Sequence, residues 1–350
     1  DLWLTRQRDI PEAPPPTAIG GYAMTTDPAF SSAVVNAGGM QVFINLRGDT
    51  VPKYGTYWTS LGIARLSRTG WDSRLGPSDG IYSRSARGGI TFGPTWRQRL
   101  RWTHLAENAE NYGAALDVAF VHPLLVRCTV VYHQKTGVGG PTFYQELTIT
   151  PDGVLSVLRT ADAEKFGMGL PLLQNDGHDL NVSITDTIAS VSYPADLGNG
   201  DEQNFIALDE GSVIEKTGDA ILSSYGYLQP LRQINPKEDV VHTFVYPRNA
   251  DEPTAQEVRD SFLLTEQGFS SVLGKVNGTL YTGRTSAGGY GDRIDINGDT
   301  IPDAVLSKPC GFILQHDKGR ITAIETDSDV TAEINNKTYT LTAYTPLACS

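Results

Sequence analysis

From residue 311 to residue 343 the chain repeats one pattern four times: a short run in which apolar and polar residues alternate, closed by a turn. The runs 311–315, 320–325, 330–334 and 338–343 are separated by Asp317-Lys318-Gly319, by residues around Asp327, and by Asn335-Asn336. Successive side chains of an extended strand point to opposite faces, so alternation with period two marks a strand with one face buried. Four of these in a row predict an antiparallel meander. The same reading makes strands of 41–46, 89–92, 114–121, 124–133 and 143–150. Pro151-Asp152-Gly153 then turns the chain into a partner strand at 154–158. Further strands are expected at 181–185, 189–193, 204–208 and 240–246.

One segment has a different period. Across 254–264, Val258, Phe262 and Leu263 keep helical spacing, and Asp251 and Pro253 stand before it as start signals. No repeat recurs at a fixed interval, which disfavours a solenoid or a regular propeller. The fold class is therefore all-β: a large antiparallel multi-sheet sandwich, supersandwich-like, with one short helix near 254–264. Residues 1–19 read as an extended Pro-rich linker, 20–270 as the main sandwich, and 271–350 as a C-terminal meander. The start, Asp1-Leu-Trp, has neither Met nor an apolar leader, and Pro11-Glu-Ala-Pro-Pro-Pro16 is stiff. Another module or a leader peptide is expected to precede it.

Charge is sorted along the chain. Overall there are 28 Lys+Arg against 40 Asp+Glu, a net charge of -12. Residues 1–105 alone hold 11 Arg and 1 Lys against 7 acids, a local +5, and all five tryptophans. The acidic total argues against general nucleic-acid affinity, which needs a basic surface. No apolar run approaches the roughly 20 residues that span a bilayer. Three cysteines are too few for a disulfide scaffold. Cys128 reads as a buried thiol, and Cys310 and Cys349 are either a bridge across the last strands or two reduced thiols.

Arginine carries a planar fork of donors that fits a carboxylate or sulfate. Tryptophan and tyrosine offer flat faces on which a sugar ring can lie. The region 47–104 concentrates both. It places Arg47, Tyr57 and Trp58 close together, with Trp71 and Arg74 soon after. Either these line a cleft for an anionic glycan, or the rings fill a small core while the arginines pair with Asp49, Asp72 and Asp79. In Trp96-Arg-Gln-Arg-Leu-Arg-Trp-Thr-His104, a single strand would put Arg97, Arg99 and Arg101 on one face and Leu100, Trp102 and His104 on the other. Three arginines in a row repel one another unless acids or a polyanion face them. The alternative is an edge strand that uses charge to resist aggregation.

His104 adjoins those arginines and is a candidate general acid or base. No two histidines stand at metal-ligand spacing, which disfavours zinc. The stretch Asp295-Ile-Asn-Gly-Asp-Thr-Ile-Pro-Asp303 matches the front of a calcium loop. Asp295, Asn297, Asp299 and Asp303 would give side-chain oxygens and Ile301 a carbonyl. Leu306 stands where an EF-hand has its bidentate Glu, so the match is to shorter Asp-rich loops, or else to a hairpin closed by Asx turns. No nucleophile elbow, P-loop, dinucleotide fingerprint or HExxH is present.

At His122-Pro-Leu-Leu-Val-Arg-Cys-Thr-Val-Val-Tyr132, Thr148-Ile-Thr-Pro-Asp-Gly-Val154 and Cys310-Gly-Phe-Ile-Leu-Gln315, the chain resembles the β-rich C-terminal part of heparinase II/III-like polysaccharide lyases. The resemblance covers most of residues 20–345 and rests on pattern. In that family a helical toroid precedes stacked antiparallel sheets, and β-elimination at a uronate proceeds by removal of the C5 proton. The resemblance implies a toroid upstream or on a separate chain, since helix is nearly absent here. It also implies a secreted, carbohydrate-active protein that engages an acidic, uronate-containing polysaccharide, the chain being the β-domain of a lyase. On residue type, Arg47, Arg74, Arg97, Arg99 and Arg101 would hold carboxylates and Trp58, Trp71 and Trp102 would stack sugars. Tyr57 or His104 would take the proton. A non-catalytic glycan-binding or structural module, and a glycoside hydrolase with paired carboxylates such as Asp72 and Asp79, are the alternatives.

Overall fold

The computed structural model describes residues 13–26, 31–48, 60–78, 80–81, 89–109, 111–136, 139–223, 225–237, 239–265, 268–270, 277–317 and 319–349. It is an all-β assembly of antiparallel sheets, as the alternation predicts. The largest sheet has eight strands in the order Asn181–Ile184, Ile188–Ser192, Glu202–Ala207, Val240–Arg248, Gly153–Arg159, Phe143–Thr150, Leu125–Gln134, Tyr112–His122. A six-stranded sheet packs against it. Its strands run Val213–Lys216, Gly226–Ile234, Phe166–Asn175, Gly93–Gln98, Arg101–His104, with Ile221–Ser223 also pairing with Gly226–Ile234. A four-stranded sheet of residues 20–68 closes the same core.

That core is continuous from Ala33 to Val245 and takes the inward side of all three sheets, with Tyr132, Phe143 and Phe205 fully buried in it. A buried side chain of this size contributes roughly 1.5–3 kcal/mol by leaving water. One buried polar chain crosses it: the Tyr132 hydroxyl donates to Gln145 Oε1 at 2.7 Å, and Gln145 Nε2 donates to Ser156 Oγ at 3.0 Å.

The outward side of the eight-stranded sheet carries a second cluster. Leu155, Val157, Ile206, Phe244 and Tyr246 meet Ala255, Val258 and Phe262 there. Ala255 and Val258 belong to the helix Ala255–Asp260, which is shorter than the spacing suggests. Thr254 caps its start, with Glu257 returning a bond in a capping box, while the chain from Leu263 to Thr265 is extended.

Residues 277–348 build a seven-stranded sheet with its own core, including Leu306, Leu314, Ile324 and Ile334. It is tied to the sandwich by an ion pair from Arg284 Nε to Asp152 Oδ2 at 2.5 Å and by Ser286 Oγ donating to the Leu124 carbonyl at 3.1 Å. Phe120 and Tyr281 meet across the same seam, ring centres 5.9 Å apart. Cys310 and Cys349 both pack against this C-terminal core but are free thiols, as is Cys128, so no bridge clamps the last strands.

Candidate functional site

The arginine-rich segment is a hairpin rather than one strand. Gly93–Gln98 pairs with Arg101–His104 in the register Thr95 to His104, Trp96 to Thr103, Arg97 to Trp102 and Gln98 to Arg101. Arg99 and Leu100 form the two-residue turn. Arg99 has φ 58°, a left-handed conformation that normally selects glycine or asparagine, and Leu100 is 89% exposed. The expected row of three arginines is therefore broken. Arg97 lies on one strand, Arg101 on the other, and Arg99 at the tip.

Residues directly opposite one another share a face, and so do residues two apart along a strand. The register carries this across the six-stranded sheet. Phe166 faces Trp96, Gly167 faces Thr95 and Ile234, and Gly169 faces Gly93 and Arg232. Trp96, Phe166, Met168 and Leu231 point into the main core. On the outer face stand Arg97, Trp102, Thr95, His104 and Arg232, with Gly167 and Gly169 between them.

The two glycines leave a trough across the middle of this face, and Arg232 lies over it. Its guanidinium sits 3.9 Å from the centre of the Trp102 ring. A Cβ on Gly167 would come within 3.3 Å of Arg232 Cγ and 2.3 Å of the Gln233 carbonyl oxygen. Beside this stack opens a pocket of about 450 Å³, lined by Arg101, Trp102, His104, Glu107, Asp219 and Arg232 among others.

Prolines open the edge of the pocket. Pro171 and Pro230 are partners across the ladder, a position where neither needs an N–H for the other. On its free side Pro230 faces the interval between Val213–Lys216 and Ile221–Ser223, where no strand continues. The 217–220 segment bulges there and becomes the pocket wall, held by the Thr217 N–H donating to the Pro230 carbonyl at 3.1 Å.

In-chain acids position the arginines. Glu215 Oε1 accepts from Arg232 Nε at 3.0 Å and Nη2 at 2.5 Å, while the Nη1 edge bonds to no other described residue. Glu107 accepts from Arg101 Nη2 at 2.9 and 3.1 Å and from the Thr103 hydroxyl at 2.9 Å. His104 Nε2 lies 3.8 Å from the same carboxylate, and its Nδ1 is buried without a hydrogen bond. Burial, followed by the charges of Arg101 and Arg232, pushes the imidazole down to about 4, so it is neutral at ordinary pH. The trough thus combines a fixed aromatic face, guanidinium donors still open to a ligand, and an uncharged imidazole.

The remaining candidates fall elsewhere. Trp71 is 5% exposed, and its Nε1 donates to the Glu202 carbonyl at 3.2 Å. It is a packing residue with no face left for a sugar. Arg74 is drawn to Asp72 at 2.5 Å and stacks on Tyr193 at 4.1 Å. That bond holds the Asp72 carboxyl below its ordinary range, against the effect of burial. Arg47 is exposed beyond the strand Met40–Asn45. Tyr57, Trp58 and Asp79 lie outside the described residues. Of the sequence candidates, then, Arg101, Trp102 and His104 converge on the pocket with Arg97 beside them. Arg232, Glu107, Glu215 and Asp219 were not foreseen. Arg232 had no signal of this kind: around it Leu228, Leu231 and Ile234 recur every three residues rather than every two, and Pro230 stands among them.

In the loop 295–303 the side chains bind the loop's own backbone. Asp295 accepts from the N–H groups of Gly298 at 2.7 Å and Thr300 at 2.9 Å. Asn297 accepts from Asp299, Asp299 from Ile301, and Asp303 from Ile296. Among the described residues, no group of three or more His, Cys, Asp or Glu is placed to hold a metal ion. Burial, with smaller contributions from the Asp295 and Asp299 charges, raises Asp303 above its ordinary value.

No protein-family model matches the chain, and no curated protein matches it in sequence. Among solved structures it is similar to heparan sulfate lyase HepC from Pedobacter heparinus, with a TM-score of 0.43 and 10% identity over 91% of this chain and 42% of that one. It is similar to a heparinase III at TM-score 0.43 and 9% identity, over 94% of this chain and 43% of the other. A 4-alpha-glucanotransferase from Thermococcus litoralis gives TM-score 0.38 and 11% identity, over 67% and 40%. The chain spans about two-fifths of the length of each of these proteins.

Proposed function

We propose that this chain is the β-domain of a secreted, carbohydrate-active protein and that it engages an acidic, uronate-containing polysaccharide along the Trp102–Arg232 trough. A helical toroid, upstream or on a separate chain, supplies the opposite wall. The reading is carried by one observation: Glu215 holds the Arg232 guanidinium over the Trp102 ring, 3.9 Å from its centre, while its Nη1 edge bonds to no other described residue. A sugar ring can pack along the indole edge while its carboxylate takes the open guanidinium donors. In β-elimination, neutralising that carboxylate makes the adjacent C5 proton removable; His104 takes it, the electron pair forms the C4=C5 double bond, and the C4–O glycosidic bond breaks, its oxygen taking a proton from water.

A non-catalytic binding role is the second reading, and the depressed His104 supports it. A base that holds its proton only below about pH 4 is weak at neutral pH. Hydrolysis by paired carboxylates has less support, because Asp72 is bound by Arg74 and held below its ordinary range, the opposite of a proton donor. Incubation with glucuronan, alginate and heparin-type polymers separates the readings. Unsaturated-uronate absorbance supports the lyase, binding without it the module, and reducing ends without unsaturation the hydrolase. Failure to bind any of the polymers overturns the proposal.

The 295–303 loop is proposed as a structural calcium site in the same protein, since a cation would relieve the crowding of Asp295, Asp299 and Asp303 that contributes to raising Asp303. Calcium should then raise the melting temperature and EDTA reverse it. An unchanged melting temperature would leave a hairpin closed by Asx turns alone.

A further inference from the structure

We infer that the trough is built for a sugar unit bearing a single carboxylate among hydroxyls, and that it discriminates against polysulfated glycans. The inference rests on the glycan reading above and narrows its ligand.

Charge in and around the pocket is balanced within the chain. The pocket guanidiniums of Arg101 and Arg232 are already matched by Glu107 and Glu215, and Asp219 adds a further carboxylate to the lining. His104 contributes no positive charge. Arg97, opposite Trp102 on the same face, makes no ion pair with another described residue. Three cations therefore stand against three acids, in a chain of net charge -12. A polysulfated polymer draws its affinity from many uncompensated cations and the counterions they release. This face has no such surplus.

What the pocket does offer is directional. Arg232 presents one open edge, its guanidinium held between the indole, 3.9 Å away, and Glu215. A planar carboxylate fits such an edge, and the in-chain ion pairs need not break to admit it. Ile90, Ile221 and Pro230 in the lining give the ring an apolar wall. Once one carboxylate is seated, each added sulfate meets Glu107, Glu215 and Asp219 at short range.

The test is calorimetric titration of the full chain with size-matched hexasaccharides of polygalacturonate, heparin and cellulose. The polygalacturonate fragment should bind best, at least tenfold tighter than the heparin fragment. Its affinity should fall only about three- to fourfold between 50 and 200 mM salt, as expected for roughly one charge contact. Arg232→Gln should reduce its binding at least tenfold. Because that variant could disturb the sheet, Glu215→Gln is the companion: it frees a positive charge and should tighten both anionic fragments, most of all the heparin fragment. Tighter binding of heparin by the native chain, a steep salt dependence, or equal binding of the neutral fragment would overturn the inference while leaving glycan binding intact. Binding of none of the three would instead overturn the functional reading on which it rests.

Discussion

Arg232 and Trp102 stack at 3.9 Å although two strands of the sheet lie between theirs. They can meet because Gly167 and Gly169, on the strand beside Arg232, raise no side chains under the bridge. The contact is therefore a product of three strands, and its weakest support is the glycine. Gly167→Ala would bring a methyl within 2.3 Å of the Gln233 carbonyl oxygen, a backbone atom that cannot simply rotate away. Overpacking of this kind costs about 1–3 kcal/mol. Urea unfolding of the variant should show a loss in that range. Indole fluorescence of the folded variant should also change as Arg232 leaves the Trp102 ring. An unaltered midpoint and spectrum would mean that the trough floor is not close-packed.

His104 makes stability pH-dependent in a definite direction. Its folded value, about 4, lies below the ordinary 6.5 that it regains on unfolding. Between those values the unfolded chain binds the extra proton, so acid favours unfolding. The contribution is complete above pH 6.5, declines as pH falls through the interval, and is gone below about 4. Each tenfold difference in proton affinity between the two states is worth ~1.4 kcal/mol, so the contribution is at most about 3 kcal/mol. Buried His316 is also shifted down and adds to the same trend, so the measurable quantity is a difference. Native chain minus His104→Gln should show a slope in stability confined to pH 4–6.5. The imidazole resonances of His104 should titrate near pH 4.

Strands with one dry face and one wet face were legible in the sequence. Phe143–Thr150 and Val330–Ile334 appear with the bounds that alternation assigns them. Phe166–Asn175 was not legible, because eight consecutive residues are buried and both faces read alike. Gly226–Ile234 was hidden by Pro230, which ordinarily argues against a central strand and is tolerated here only because its free side faces a gap in the ladder. Those two strands carry the trough floor and Arg232. The hairpin reads as one strand in the sequence because neither Arg99 nor Leu100 is a turn residue by chemistry. Local signals thus identified Trp102, His104 and Arg101; Glu107 is six residues from Arg101, but Arg232 and the trough floor come from strands more than sixty residues away in the chain.

The seam between the two cores carries an ion pair that is mostly out of water. Arg284 and Asp152 keep 18% and 14% side-chain exposure, and Asp152 also accepts from the Thr150 hydroxyl. Truncating one partner leaves the other charged and poorly solvated, which costs about 3–5 kcal/mol when burial is complete and less here. Arg284→Met should therefore loosen the C-terminal sheet before the sandwich. Hydrogen exchange should rise first in strands Ser286–Ile294 and Ala304–Asp317, with Leu125–Gln134 still protected. Simultaneous loss in both would show that the two cores unfold as one unit.

Arg99 offers the sharpest separation of stability from binding. At φ 58° an L-residue with a full side chain is held in a conformation that costs roughly 1–2 kcal/mol, and glycine adopts it freely. Glycine in turn loses more chain entropy on folding, which offsets about half of the gain. Arg99→Gly should therefore stabilise the hairpin by about 0.5–1 kcal/mol, readable as a higher urea midpoint. If the tip serves only the fold, binding of a polyuronate fragment will be unchanged or slightly improved by the more rigid turn. If Arg99 and the 89% exposed Leu100 beside it reach toward the polymer, the more stable variant will bind more weakly. The first outcome is the one expected here, because Arg99 stands at the hairpin tip outside the pocket lining, where the guanidiniums of Arg101 and Arg232 already have their acids.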